Sequence, residues 1–212
     1  MALSLERNAI RSALSAIRFR TEAFIDGQFV PAASGRTFAT ENPATGKTIA
    51  RIAECDAADV DLAVKAARRA FDSGVWSKMR PADRKKVLLK FADLLEANAG
   101  EIALLDALEA GKPIADCVNI DMPDTIHCVR WHAELADKLY DNISPTGPEN
   151  LALIVREPVG VVGAVIPWNF PAQMAAWKIA PALAAGNSVV LKPAEQTSLS
   201  ALRMAELAAE AG

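Results

Sequence analysis

The spacing of apolar positions changes several times along the chain, and each change predicts a different element. In "SLERNAIRSALSAIRFR", Ile10, Ala13, Leu14 and Ile17 fall on one helical face. "FIDGQFV" sets the turn dipeptide Asp26-Gly27 between two apolar runs, a hairpin signal, and "NPATGKTIARIAE" adds a second turn and strand. Helical spacing then returns. Val60, Val64, Ala67 and Phe71 share a face over 57–72, and Val87, Leu88, Phe91, Leu94 and Leu95 share one over 81–97. Pro81 suits a first helical turn, and Gly100 and Gly111 are expected as stops. "NISPTGPEN" reads as a loop, and "LALIVREPV" as an exposed strand ending at a proline.

From Gly160 the texture shifts to short charge-free runs. "GVVGAVI" is β-branched and predicts a strand buried on both faces. A helix is expected from about Phe170 to Ala185, closed by Gly186-Asn187. "SVVLK" is a second buried strand, and "SLSALRMAELAAEAG" a second helix capped by Ser198 or Ser200. Strand, helix, strand, helix means a parallel sheet with a right-handed crossover. The fold class is therefore α/β: an incomplete Rossmann-like domain with a parallel βαβα unit at its C-terminal end, preceded by antiparallel hairpins and helices.

Composition narrows the partners. The chain has 212 residues, 51% hydrophobic, with 23 basic against 26 acidic side chains and a net charge of −3. No basic face is forced, which argues against nucleic acid and against anionic membrane. Residues 159–177 carry no charge and are long enough to span a bilayer, but the glycine and proline breaks before Asn169 favour a buried strand and turn. Cys55, Cys117 and Cys128 form no CxxC and leave an odd count, which suggests a reducing compartment, the cytoplasm. The N-terminal stripe, with four arginines and one acid, also fits a mitochondrial transit peptide. Nothing there resembles a processing site, which favours a surface helix packed on the body.

One stretch stands out chemically. "IPWNFP" fences Asn169 between two aromatics and two prolines, so its amide sits on a preset turn, able to donate to something brought near. In a Rossmann-type half, ligands bind beyond the carboxyl ends of the strands, and an acid near the end of the second strand takes the ribose hydroxyls. Lys192 ends that strand and Glu195 follows it, so both could reach a ribose; the alternative is a solvated Lys/Glu pair. There is no GxGxxG and no P-loop, so pyrophosphate contacts must come from elsewhere.

"PWNFPAQMAAWKIAPALAAGNSVVLKPAE" closely resembles the nucleotide-binding core of the aldehyde dehydrogenase superfamily. "FIDGQFV", "NPATGKTIARI", "DVDLAVKAARRAFDSGVWS", "GKP" at 111–113 and "EPVGVVGAVIPWNFP" agree with it, in the family's order, from about Ala23 to Gly212. The likeness is strongest to the NAD-dependent members acting on amino- and hydroxy-aldehydes, such as the γ-glutamyl-γ-aminobutyraldehyde and betaine aldehyde dehydrogenases. There are two departures: "LDALEAGKP" exchanges the order of acids usual before GKP, and Asp141 replaces a common glycine.

The resemblance implies roles. Asn169 matches the asparagine that donates to the substrate oxygen as the thiohemiacetal forms. Lys192 and Glu195 match adenosine-ribose ligands, with Glu195 favouring NAD by repelling a 2′-phosphate. Ile166, Pro167 and Trp168 match the wall of the cofactor cleft, and Phe170, Met174 and Trp177 the aldehyde tunnel. By spacing alone that last stripe, at i, i+4 and i+7, reads as core. The division implied is a helical arm at 1–20, hairpins and helices of the cofactor-binding domain at 21–140, an oligomerisation-type strand at 141–158 and the first half of the NAD-binding core at 159–212. A homo-oligomer is expected of the full-length protein.

The family's cysteine nucleophile and glutamate base lie beyond "ELAAEAG". Within the chain, Asp124, Cys128 and His132 share a helical face, but the order is wrong for a thiol activated by a histidine and the ligands are too few for a metal. Two readings follow: the N-terminal portion of an NAD-dependent aldehyde dehydrogenase, or a stand-alone nucleotide-binding or interaction module.

Overall fold

The computed structural model describes residues 3–212. Helix α1 (Arg7–Ala16) leads into two hairpins. Strands β1 (Ala23–Ile25) and β2 (Gln28–Val30) pair antiparallel, and so do β3 (Thr37–Asn42) and β4 (Lys47–Ala53). The first turn is the Asp26-Gly27 pair, at φ 54° and 76°, the left-handed values that a two-residue hairpin turn requires. Helices α2 (Ala57–Ser73), α3 (Pro81–Ala97) and α4 (Ala99–Ala110) follow. A short turn α5 (Ile114–Asp116) runs through a π-helical turn at Cys117–Asp121 into α6 (Met122–Leu135). A small antiparallel pair, β5 (Asn142–Ser144) and β6 (Ala152–Ile154), precedes the last unit: β7 (Val161–Val165), α7 (Pro171–Ala184), β8 (Ser188–Lys192) and α8 (Leu199–Ala211).

The predicted parallel pair is present. β7 and β8 run from Val161↔Ser188 to Val165↔Lys192, and the Ile166 amide continues the ladder by donating to the Lys192 carbonyl at 3.1 Å. Gly186, at φ 90°, turns the chain from α7 into β8. The main core lies among the helices: Phe91, Leu95, Ile102, Met122, Val129, Ala172, Ala176, Met204 and Leu207 pack together in one buried cluster. Of the predicted face of α3, Phe91 and Leu95 are in it, Val87 and Leu94 pack against it, and Leu88 joins a second cluster with Ala133, Ala136 and Ala184.

Four local expectations are corrected. Val60 and Val64 are exposed, while Asp59, Ala63 and Ala66 turn inward. The cause is Asp59, whose buried carboxylate accepts from the amides of Ala33 at 2.8 Å and Asp56 at 2.9 Å and so fixes the rotation of α2. Gly100 is no stop. The break falls at Asn98, whose amide side chain donates to Leu94 O at 2.8 Å, and Gly100 instead lets Leu3 approach closely. Strand β7 is covered on one face only: Ala164 is buried and Val165 is exposed. Finally, neither serine caps α8. Ser198 Oγ donates to Ala194 O, and the cap comes from α4 as described below.

The stripe of α1 is half-buried, and Ile17 and Phe19 join a cluster with Ile52, Leu105 and Leu199, as a helix packed on the body requires. Beyond it Arg20 reaches Glu101 and Glu206, which also receive Arg203, tying this arm to α4 and α8. Among the described residues no helix is long and apolar enough to cross a membrane.

Candidate functional site

The carboxyl ends of β7 and β8 bring two sequence-distant groups together. Ile166, buried, closes the first strand against Lys192, the last residue of the second. Pro167, Trp168 and Asn169 then leave the core and face outward, and no hydrogen bond within the described residues occupies the Asn169 amide. Pro171 starts α7 immediately afterwards, and a proline there fixes φ without losing a needed donor. The turn is thus set at both ends, with a free amide at its crest.

Lys192 and Glu195 form an ion pair, both more than half exposed. That pair contributes little stability by itself. Its value is placement: an ammonium and a carboxylate side by side just beyond the strands, suited to hold the two hydroxyls of a ribose. Lys192 holds the Glu195 carboxyl below its ordinary range, so it is ionised at neutral pH.

Phe170, Met174 and Trp177 lie along one side of α7, half-buried to exposed. Asp124 on α6 meets the Trp177 end of this stripe, accepting hydrogen bonds from Gln173 Nε2 and, at 3.2 Å, from Trp177 Nε1. Its carboxylate therefore points to α7 and not along the Asp124–Cys128–His132 stripe. His132 Nδ1 contacts the Cys128 carbonyl at 2.9 Å and the Cys128 thiol at 3.6 Å, yet burial with Asp124 pushes that thiol up to about 11. Neither Cys128 nor Cys117, pushed by burial to about 12, is a ready nucleophile. Among the described residues no three His, Cys, Asp or Glu side chains gather as a metal site.

The sequence model of the Aldehyde dehydrogenase family matches residues 29–212. The chain belongs to the aldehyde dehydrogenase family. Its members are NAD(P)-dependent oxidoreductases. The aminoacetaldehyde dehydrogenase of Pseudomonas aeruginosa is 55% identical over 208 residues, 98% of this chain but 42% of the relative. The indole-3-acetaldehyde dehydrogenase of P. syringae, solved with NAD+ and IAA, superposes with a TM-score of 0.96 at 49% identity, covering 99% of this chain and 42% of the other. The γ-glutamyl-γ-aminobutyraldehyde dehydrogenase of Burkholderia cenocepacia gives 0.95 at 49% identity, covering 97% and 42%. This aldehyde dehydrogenase chain thus spans well under half the length of these relatives.

Sequence reasoning missed four ionisable groups beneath the site. Lys112 of the GKP stretch sits 3.7 Å over the Phe170 ring and pairs with buried Asp121. Asp106 and Glu109, both on α4, are 1% and 3% exposed. Asp106 accepts from the Ala172 amide at 3.2 Å; Glu109 accepts from Thr40 Oγ1 at 2.8 Å and from the amides of Ser198 at 3.2 Å and Leu199 at 2.8 Å. Burial raises both carboxyls to about 7 against these donors, and the Ser200 hydroxyl pulls Asp106 back although it is not aligned as a full hydrogen bond. Two acids inside an otherwise apolar helix, "IALLDALEA", were the available signal.

Proposed function

We propose that this chain is the N-terminal, NAD-binding portion of an aldehyde dehydrogenase that oxidises an amino-aldehyde to the carboxylic acid. A cysteine nucleophile and a glutamate base are supplied from beyond residue 212. The observation that carries this reading is the meeting of the Asn169 turn with the Lys192–Glu195 loop at one end of the β7–β8 pair. Lys192 and Glu195 hold the adenosine ribose, and Ile166, Pro167 and Trp168 form the adjoining wall. Bound there, NAD supplies the hydride acceptor. Asn169 donates to the carbonyl oxygen as thiol attack makes the carbon tetrahedral, stabilising charge where it develops. Phe170, Met174 and Trp177 wall off water around the aldehyde chain. Three free thiols fit a cytoplasmic setting, and the exposed apolar row Leu151, Leu153 and Val155 fits association through β6 into a homo-oligomer.

The test is a chimera in which residues 1–212 replace the matching portion of the P. aeruginosa aminoacetaldehyde dehydrogenase. It is expected to form NADH steadily from amino-aldehydes. A folded, NAD-binding chimera inert toward every aldehyde in an amino and aliphatic panel would overturn the reading.

Two substitutions refine it. Glu195→Gln removes the charge that repels a 2′-phosphate, and about tenfold of the preference in kcat/KM for NAD over NADP is expected to be lost. An unchanged ratio would mean that Glu195 does not touch the ribose. Asp124 has no cationic partner among the described residues and lies against an indole, a combination that suits a substrate ammonium. Asp124→Asn is expected to lower kcat/KM for an amino-aldehyde about tenfold relative to a neutral aldehyde of equal length. Equal loss for both substrates would assign Asp124 only to holding α6 against α7.

A further inference from the structure

Both helices of the C-terminal βαβα unit begin without a cap of their own. The residue before α7 is Phe170, which has no side-chain oxygen, and Pro171 has no amide hydrogen. The first amide needing a partner is Ala172 N–H, and it is taken by Asp106 from another helix. At α8 a serine stands in the capping position, but its hydroxyl is turned back to Ala194 O. The amides of Ser198 and Leu199 are taken by Glu109. The two acids are three residues apart on α4, on neighbouring positions of one helical face.

A serine or asparagine at the cap of α7 would satisfy the Ala172 amide locally, without burying a carboxyl. What a local cap cannot do is fix one helix against another. Asp106 and Glu109 do so, because both project from a single rigid helix. Ala172 is three residues from Asn169, and Ser198 is three residues from Glu195. The spacing of the two helix starts is therefore the spacing of the aldehyde-facing amide and the ribose-facing carboxylate.

We propose that α4 is a two-pronged clamp in which Asp106 positions the Asn169 turn and Glu109 positions the Lys192–Glu195 loop, so that the aldehyde and cofactor ends of the site are held in register by one helix. Both act through other groups and are positioning residues, not catalytic ones. The inference rests on the functional reading above for what Asn169 and Glu195 touch.

The prongs separate kinetically in the chimera. Asp106→Ala is expected to lower kcat about tenfold at saturating NAD while calorimetry gives an unchanged Kd for NAD, because a small misplacement of a donor is felt in the transition state. Glu109→Ala is expected to weaken NAD binding about tenfold while kcat at saturating NAD is retained. Asp106→Asn and Glu109→Gln keep an acceptor oxygen and are expected to restore each parameter to within about twofold. If the alanine variants do not accumulate, Asp106→Ser and Glu109→Ser, too short to reach the amides, take their place with the same expectation. Lowered Tm with kcat and Kd both unchanged would reduce the pair to structural caps and overturn the clamp, as would a loss of both parameters together in each variant. Asn169→Ala, measured alongside, separates the levels. If it loses rate while Asp106→Ala does not, the clamp falls and the function stands; if it keeps full rate, the role given to Asn169 falls and the Asp106 prong with it.

Discussion

Replacing Asn169 by alanine in the chimera is expected to cut kcat by ~10²–10³ while leaving the Kd for NAD unchanged. The size follows from the setting of the amide. It stands on a turn whose ends are set by the Ile166–Lys192 ladder contact and by Pro171, so little reorganisation is needed when charge appears on the substrate oxygen. It also has no hydrogen bond within the described residues to give up, so its donor capacity is open to a substrate oxygen. KM for the aldehyde should change far less than kcat, because a neutral carbonyl oxygen gains less from the amide than an oxyanion does. Asn169→Asp, similar in shape but carrying an acceptor and a charge, should lose at least as much. Steady-state and pre-steady-state NADH traces decide the matter. A variant with wild-type kcat and burst would show that the oxygen is held by other donors.

What the sequence made legible was local. The Asp26-Gly27 hairpin, the Pro81 helix start, the Gly186-Asn187 closure and the β7–α7–β8–α8 order all rest on residues within a few positions of one another, where turn chemistry and periodicity act. The prolines around Asn169 belong to this class, and that is why the turn could be singled out. What it hid was long-range. The rotation of α2 is set by Asp59 reaching Ala33, and spacing alone put Val60 and Val64 on the wrong side. The true caps of α7 and α8 lie 66 and 90 residues away on α4, so a serine in the right place was credited with a job that Glu109 does. Burial on β7 failed for a related reason: apolar composition says that a strand can be covered on both faces, and only packing says whether it is.

The 212-residue chain by itself is expected to form no NADH from any aldehyde, although it carries Asn169 and the Lys192–Glu195 pair. The reaction needs a thiolate and a base. Burial leaves a thiol at about 11, that of Cys128, ionised to roughly one part in ten thousand at pH 7, and Cys117 at about 12 is a further tenfold worse. Cys55 is exposed, but burial of part of its surface and the charges of Asp59 and Asp56 also raise it. None of the three is therefore poised for attack. The isolated chain should also associate. Leu151, Leu153, Val155 and Val165 are exposed around β6 and β7, and the β7–β8 sheet has only two strands, which leaves apolar edges open to pairing with other copies. Size-exclusion chromatography with light scattering, NAD calorimetry and an aldehyde panel together test this, with associated species, weak or no NAD binding and no turnover expected. Steady NADH formation that survives both chelator and Asn169→Ala would overturn the chemistry, and a monodisperse monomer with micromolar NAD affinity would favour a stand-alone nucleotide-binding module.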